Sequence, residues 1–271
     1  MDKIAIFEIM KSGILITGFT EASKGILSQG CLPCGGRPVC VLDFREMEGT
    51  RCYLDPSSME AIRDSISPFP VTVTKGSPYR IHYIDTGEYH YMSALFMDTV
   101  RSPFSLLMLD NHTDMQDGAF GEELISCGNW LAHEMETNHF LTEVRLMGPD
   151  SMARLYRRDS GGNMELADSR PLPPGSIPEE VFPPLQGPVY ISVDKDIMSE
   201  KYYRTGWSQG AYSLSDVEAI IVSSLSVDAG VIGVDVCGGL PPGACLSCDV
   251  TMNAALDGKL IEFIDNKLNI I

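Results

Sequence analysis

Short apolar runs rich in β-branched residues recur along the chain, at Val39 to Phe44, Val71 to Thr74, Ile81 to Asp85, Ser105 to Asp110, Val189 to Asp194 and Val231 to Val236, each ending at or near a Gly, Asp or other polar residue. Runs of that length and composition predict β-strands. Most lack strict alternation of apolar and polar positions, which predicts parallel strands buried on both faces. Helical spacing of apolar residues covers Ser57 to Ile66, Tyr91 to Val100, Ser215 to Val227 and Asn253 to Leu268, several of them opening on a Ser or Asn suited to an N-cap. Strand and helix therefore alternate, the pattern of an α/β sheet with helices on both faces and ligands beyond the carboxyl ends of its strands. The segment Arg157 to Pro188 breaks the pattern with Gly161, Gly162 and prolines from Pro171 to Pro188, and reads as a long surface loop.

Composition narrows the setting. The 271 residues fit one domain spanning 1–271 around a single large sheet. With 37 acidic against 20 basic side chains the formal charge is −17, which repels phosphate backbones and anionic membrane surfaces and excludes nucleic acid and membrane as expected partners. The apolar stretch Gly13 to Phe19 follows Lys3, Glu8 and Lys11 with no small-residue cleavage site after it, so a cytoplasmic protein is expected. The eight cysteines include CxxC pairs at Cys31 to Cys34 and Cys245 to Cys248. Zinc ribbons place such pairs about 15–20 residues apart; these stand at opposite ends of the chain and read as reduced thiols near Gly- and Pro-rich turns.

Two strand ends carry chemistry. Asp110-Asn111-His112-Thr113-Asp114 follows one apolar run, and Ser192-Val193-Asp194-Lys195-Asp196 closes another. In extended backbone alternate residues point to one side, so each segment aims its carboxylates, and in the first an imidazole, at one place while Lys195 points away. Like charges this close raise a carboxyl pKa and destabilise a fold unless a cation neutralises them. A third segment, Thr86-Gly87-Glu88-Tyr89-His90, turns from strand to helix and offers another imidazole at the same kind of strand end.

In this order the three segments resemble the signatures of the ureohydrolases, the arginase and agmatinase family: a GGDH-like turn, a DAHxD motif and an SxDxD motif. The resemblance runs from about Ile81 to Val236, and the chain is a divergent member, with Glu88-Tyr89 where the family has Gly-Asp. It implies an arginase-like α/β/α fold in three layers, with a parallel, roughly eight-stranded sheet. It also implies two Mn²⁺ ions, a metal the oxygen-rich donor set suits. His90, Asp110, Asp114 and Asp196 would hold one ion or bridge the pair, with His112 and Asp194 completing the set. Two ions about 3.5–4 Å apart lower the pKa of a water between them and aim it at an electrophilic carbon, with Asp114 as its hydrogen-bond acceptor.

Two further roles follow from the resemblance in altered form. Asp235 stands where the family has a guanidinium-binding Glu, and His133, displaced by two residues from the family's proton-shuttling histidine, or His139, or neither, takes that part. The implied function is hydrolysis of a linear C–N bond in a small guanidino or formimino compound by a homo-oligomer. The alternatives are a metal-dependent amide deacetylase of related fold and a metal-retaining binding or regulatory protein without catalysis.

Overall fold

The computed structural model describes residues 14–21, 39–71, 81–118, 124–176, 181–241, 243 and 247–268. Its strands are β1 (Ile14–Gly18), β2 (Val39–Asp43), β3 (Tyr53–Leu54), β4 (Ile81–Ile84), β5 (Phe104–Leu109), β6 (Ile125–Ser126), β7 (Leu141–Met147), β8 (Met152–Arg158), β9 (Met164–Pro171), β10 (Val189–Asp194) and β11 (Val231–Cys237). Its α-helices are α1 (Pro56–Ile66), α2 (Met92–Met97), α3 (Trp130–Thr137), α4 (Leu214–Ser224) and α5 (Ser247–Leu268).

Nine strands form one sheet in the order β2-β1-β4-β11-β10-β5-β7-β8-β9, and β3 pairs with β6 in a small antiparallel ribbon. Every neighbouring pair from β2 to β7 is parallel. β4, β10 and β11 are buried along their whole length, as strands covered on both faces must be. The two covers are distinct. Leu107 and Leu109 of β5, with Val189, Ile191 and Val193 of β10, pack into a core with α4 and α5. The alternate residues Leu106, Met108 and Tyr190 pack with α1, α2 and α3 on the other side. The period of two along each strand thus divides the apolar residues between two cores and gives the three layers.

The loop expected over Arg157 to Pro188 is largely a hairpin. β8 pairs antiparallel with β7, and β9 with β8, so the sheet is mostly rather than wholly parallel. β9 is an edge strand with mostly exposed polar residues, which carries little hydrophobic signal. β1 was also not foreseen as a strand, although its five residues are all buried. The run Val71 to Thr74 lies outside the described residues beyond Val71, which is not in a strand, and so do Cys31, Cys34 and Cys245. Cys248 is an exposed free thiol. No helix among the described residues is long and apolar enough to cross a membrane.

The loop before α4 shows how the sequence fixes a helix start. Ser213 accepts from Asp216 N at 3.2 Å while Asp216 Oδ2 accepts from Ser213 N at 2.8 Å, a reciprocal capping box. Ser213→Ala is expected to cost about 1 kcal/mol, read as a lower denaturant midpoint at unchanged slope.

Candidate metal centre

β4, β11, β10 and β5 are neighbours in the middle of the sheet, and their carboxyl ends build the site. β5 ends at Leu109 and delivers Asp110, and β10 ends on Asp194. After β4 a single 3-10 turn, Gly87–Tyr89, carries the chain to His90. Asp194 caps the next 3-10 turn by accepting from Asp196 N at 2.9 Å, which brings the second carboxylate of the motif back beside the first. Lys195 between them points into the opposite core. There Nζ donates to Tyr83 Oη at 2.7 Å and to Asp257 Oδ1 at 3.0 Å, so the fully buried ammonium is paired with α5.

His90 Nδ1 lies 3.0 Å from Asp114 Oδ2, 3.3 Å from Asp110 Oδ2 and 3.4 Å from Asp194 Oδ2. One N–H cannot satisfy three carboxylates, and Asp110 Oδ2 is buried without a hydrogen bond of acceptable geometry despite that 3.3 Å approach. His112 Nδ1 sits 2.8 Å from Asp196 Oδ2 and 3.5 Å from Asp110 Oδ1. Among the described residues three candidate ligand groups result, of which two line the cavity floor: His90 with Asp110 and Asp114, and Asp110 with His112 and Asp196; the third is His90 with Asp194 and Cys237. The first two share Asp110. Asp196 stands against His112, and Asp194 against His90.

Several contacts hold these side chains in place. Ser192 Oγ lies 3.0 Å from His90 Nε2 and turns Nδ1 toward the carboxylates. Trp130 Nε1 donates to Asp114 Oδ2 at 2.6 Å, at a residue with a left-handed φ of 49°. Ser208 Oγ meets His112 Nε2 at 2.8 Å, and Asp196 Oδ1 accepts from Asn111 N at 3.0 Å. Gly148, at φ 127°, lies so close to the Asp110 carbonyl that a Cβ would stand 2.1 Å from it. Of these supports the sequence hinted at Ser192 alone, two residues before Asp194 and so on the same face of β10. Trp130 comes from the first turn of α3 and Ser208 from the loop before α4, and neither had such a signal.

The electrostatics are those of a cluster short of positive charge. Burial, then the charges of Asp196 and Asp110, push Asp194 up to about 8, and burial with Asp110 raises Asp196 to about 6. Burial also raises Asp114. Hydrogen bonds to Asp110 and Asp196 lift His112 to about 11. Burial alone would depress His90, but the carboxylates of Asp110, Asp114 and Asp194 close around it hold it well above the ordinary imidazole range. Even with both imidazoles protonated, four ionised carboxylates leave the cluster two charges negative. The donor set and the unpartnered Asp110 oxygen fit divalent cations.

These groups form the floor of an open cavity of about 470 Å³, with Cys52, Gln116, Asn129 and Trp207 among its walls. Asp235 is not in the described lining. It lies two residues short of the end of β11, fully buried, where Oδ1 accepts from Tyr190 Oη at 2.6 Å and meets His82 Nδ1 at 2.9 Å. That placement departs from the expected contact with substrate: Oδ1 is taken up by the two neighbouring strands, and Oδ2 is buried without a hydrogen bond and outside the cavity lining. His133, on α3, is half-buried with its pKa lowered by burial, and it too lies outside the lining. His139 is exposed on the turn beyond α3. The structure brings neither to the cavity.

Comparison with solved structures places the architecture. The proclavaminate amidino hydrolase of Streptomyces clavuligerus aligns over 93% of this chain and 91% of its own, with TM-score 0.59 and 14% identity. An arginase from Medicago truncatula aligns over 98% and 95%, with TM-score 0.59 and 13% identity. The agmatine ureohydrolase of Thermoplasma volcanium covers 94% and 89%, at 0.55 and 12%. The chain has the fold of the arginases and agmatinases, an α/β/α sandwich about a mostly parallel sheet. By sequence, no family model matches. A Thermotoga maritima protein described as uncharacterized is 25% identical over 195 residues, 72% of this chain and 68% of that protein.

Proposed function

We propose that the protein is a two-cation hydrolase of a C–N bond in a small amidine-type compound, guanidino or formimino. The observation that carries this reading is the pair of ligand groups joined through Asp110 on the cavity floor. One ion would be held by His90, Asp110, Asp114 and Asp194, the other by Asp110, His112 and Asp196. The nitrogen and oxygen donors suit Mn²⁺. When bound, the ions acidify water and polarise the electrophilic carbon. The names of the structural neighbours, an amidino hydrolase, an arginase and an agmatine ureohydrolase, support this substrate class.

The chain's own residues supply the rest. Trp130 and His90 fix Asp114 at the cavity floor, where it accepts the proton of the attacking water and returns it to the departing amine. His112, a third exposed, presents an imidazole to the cavity and is kept from rotating by Ser208.

The test is a screen of Mn²⁺-loaded protein against arginine, agmatine, guanidinobutyrate and formiminoglutamate. Urea or formamide release from at least one is expected. Tight binding of such a ligand without turnover, in protein shown to hold its metal, would replace the enzyme with a metal-retaining binding protein.

A further inference from the structure

Cys237 ends β11 as a fully buried side chain. Its register partner on β10 is Asp194, and one donor atom from each of Cys237, Asp194 and His90 lies within 4.8 Å of the others. A single ion with bonds of about 2.0–2.3 Å draws its ligand atoms to within about 4.6 Å of one another, a span these atoms reach with small side-chain adjustments. The thiol makes a hydrogen bond to the Thr86 carbonyl at 3.5 Å, a weak contact that a stronger bond can replace. The backbone holds it in place from the other side. Gly238 follows at φ 93°, so close to Asp194 that a Cβ would stand 2.3 Å from Oδ1 and 3.1 Å from Lys195 N. Buried structural cysteines behave as small hydrophobes. This one is held among a carboxylate, an imidazole and a carbonyl.

We propose that Cys237 is a soft ligand of the ion at the His90 end of the centre, sharing His90 and Asp194 with it. The inference rests on the reading of the site as a cation centre. As the sulfur–metal bond forms, the thiol proton passes to solvent and no electron is transferred. A thiolate with imidazole and carboxylate raises the affinity of this position for Zn²⁺, Co²⁺ or Fe²⁺ relative to the His112 position, while Mn²⁺ in excess still fills both. The His112 end has one imidazole and two carboxylates and takes the harder ion. The two positions therefore differ in metal preference within one centre.

Cobalt substitution tests this without reference to activity. Wild type loaded with Co²⁺ is expected to show near-ultraviolet thiolate-to-cobalt charge-transfer absorption, and Cys237→Ser to lose it. Cys52→Ser, Cys127→Ser and Cys248→Ser should retain it. X-ray absorption of Zn²⁺-loaded wild type needs no variant and should show a sulfur scatterer at about 2.3 Å. A wild type that holds cobalt without the band, or a band that survives Cys237→Ser or vanishes in one of the other variants, overturns the assignment of Cys237 and leaves the cation centre standing. A wild type that elemental analysis finds free of cobalt overturns both.

Discussion

Asp110→Asn should lose both ions and lower kcat/KM for the amidine substrate by about 10³-fold or more, a loss of about 4 kcal/mol in transition-state stabilisation. Asp110 is the residue common to the two ligand groups on the cavity floor, and its Oδ2 is buried without a hydrogen bond. The amide keeps the side chain's size but removes one charge and turns one donor oxygen into an N–H₂ that repels a cation. Asp196→Asn is narrower in effect, because Asp196 stands with His112 alone of the two imidazoles. It should lose one ion and keep the other. Elemental analysis and steady-state kinetics on the same preparations check both, and a variant at Asp110 with undiminished metal and rate would remove that residue from the centre.

The second large effect is on stability. Without metal, burial and the neighbouring carboxylates push Asp194 up to about 8 and Asp196 up to about 6, above the ordinary carboxyl value of about 3.9. A carboxyl raised on folding favours the folded state while protonated, so its contribution falls as pH rises through the folded value. His112, raised to about 11, contributes stability that is whole below the ordinary imidazole value of about 6.5 and is lost as pH climbs toward its folded value. His90, also raised, acts in the same direction. The metal-free melting temperature should therefore fall between pH 6 and 9, by on the order of 4 °C or more. Divalent ions take the place of the protons. At about 100 times its Kd each ion adds about 2.7 kcal/mol, and because the ligands must deprotonate to bind it, the stabilisation grows with pH. A thermal scan with chelator and with Mn²⁺ across that pH range reads both effects, and a metal-free melting temperature that rises with pH would contradict the charge balance described for the cluster.

What could be read in the sequence was what depends on local spacing. The strands β4, β5, β10 and β11 announce themselves as apolar runs, and the DxHxD and SxDxD segments carry their geometry within five residues each, so the convergence of His90, Asp110, His112, Asp114, Asp194 and Asp196 on one sheet edge was legible. Residues whose position depends on a strand's exact end were not. β11 runs through Cys237, which puts Cys237 at the site and leaves Asp235 two residues inside, hydrogen-bonded to Tyr190. α3 begins at Trp130 and gives that side chain to Asp114, while His133 stays outside the cavity. The hairpin β8–β9 escaped for the opposite reason: Gly161, Gly162 and the prolines mark its turn and exit, and its exposed outer strand has no apolar face to show.

The most direct measurement is anomalous diffraction from crystals of the Mn²⁺-loaded protein, collected at the manganese edge. Two peaks are expected on either side of the Asp110 carboxylate, one enclosed by His90, Asp114 and Asp194 and the other by His112 and Asp196. An absence of anomalous signal among these six side chains, in crystals grown from protein with the ion in excess, would contradict the two-cation centre and the reaction proposed for it.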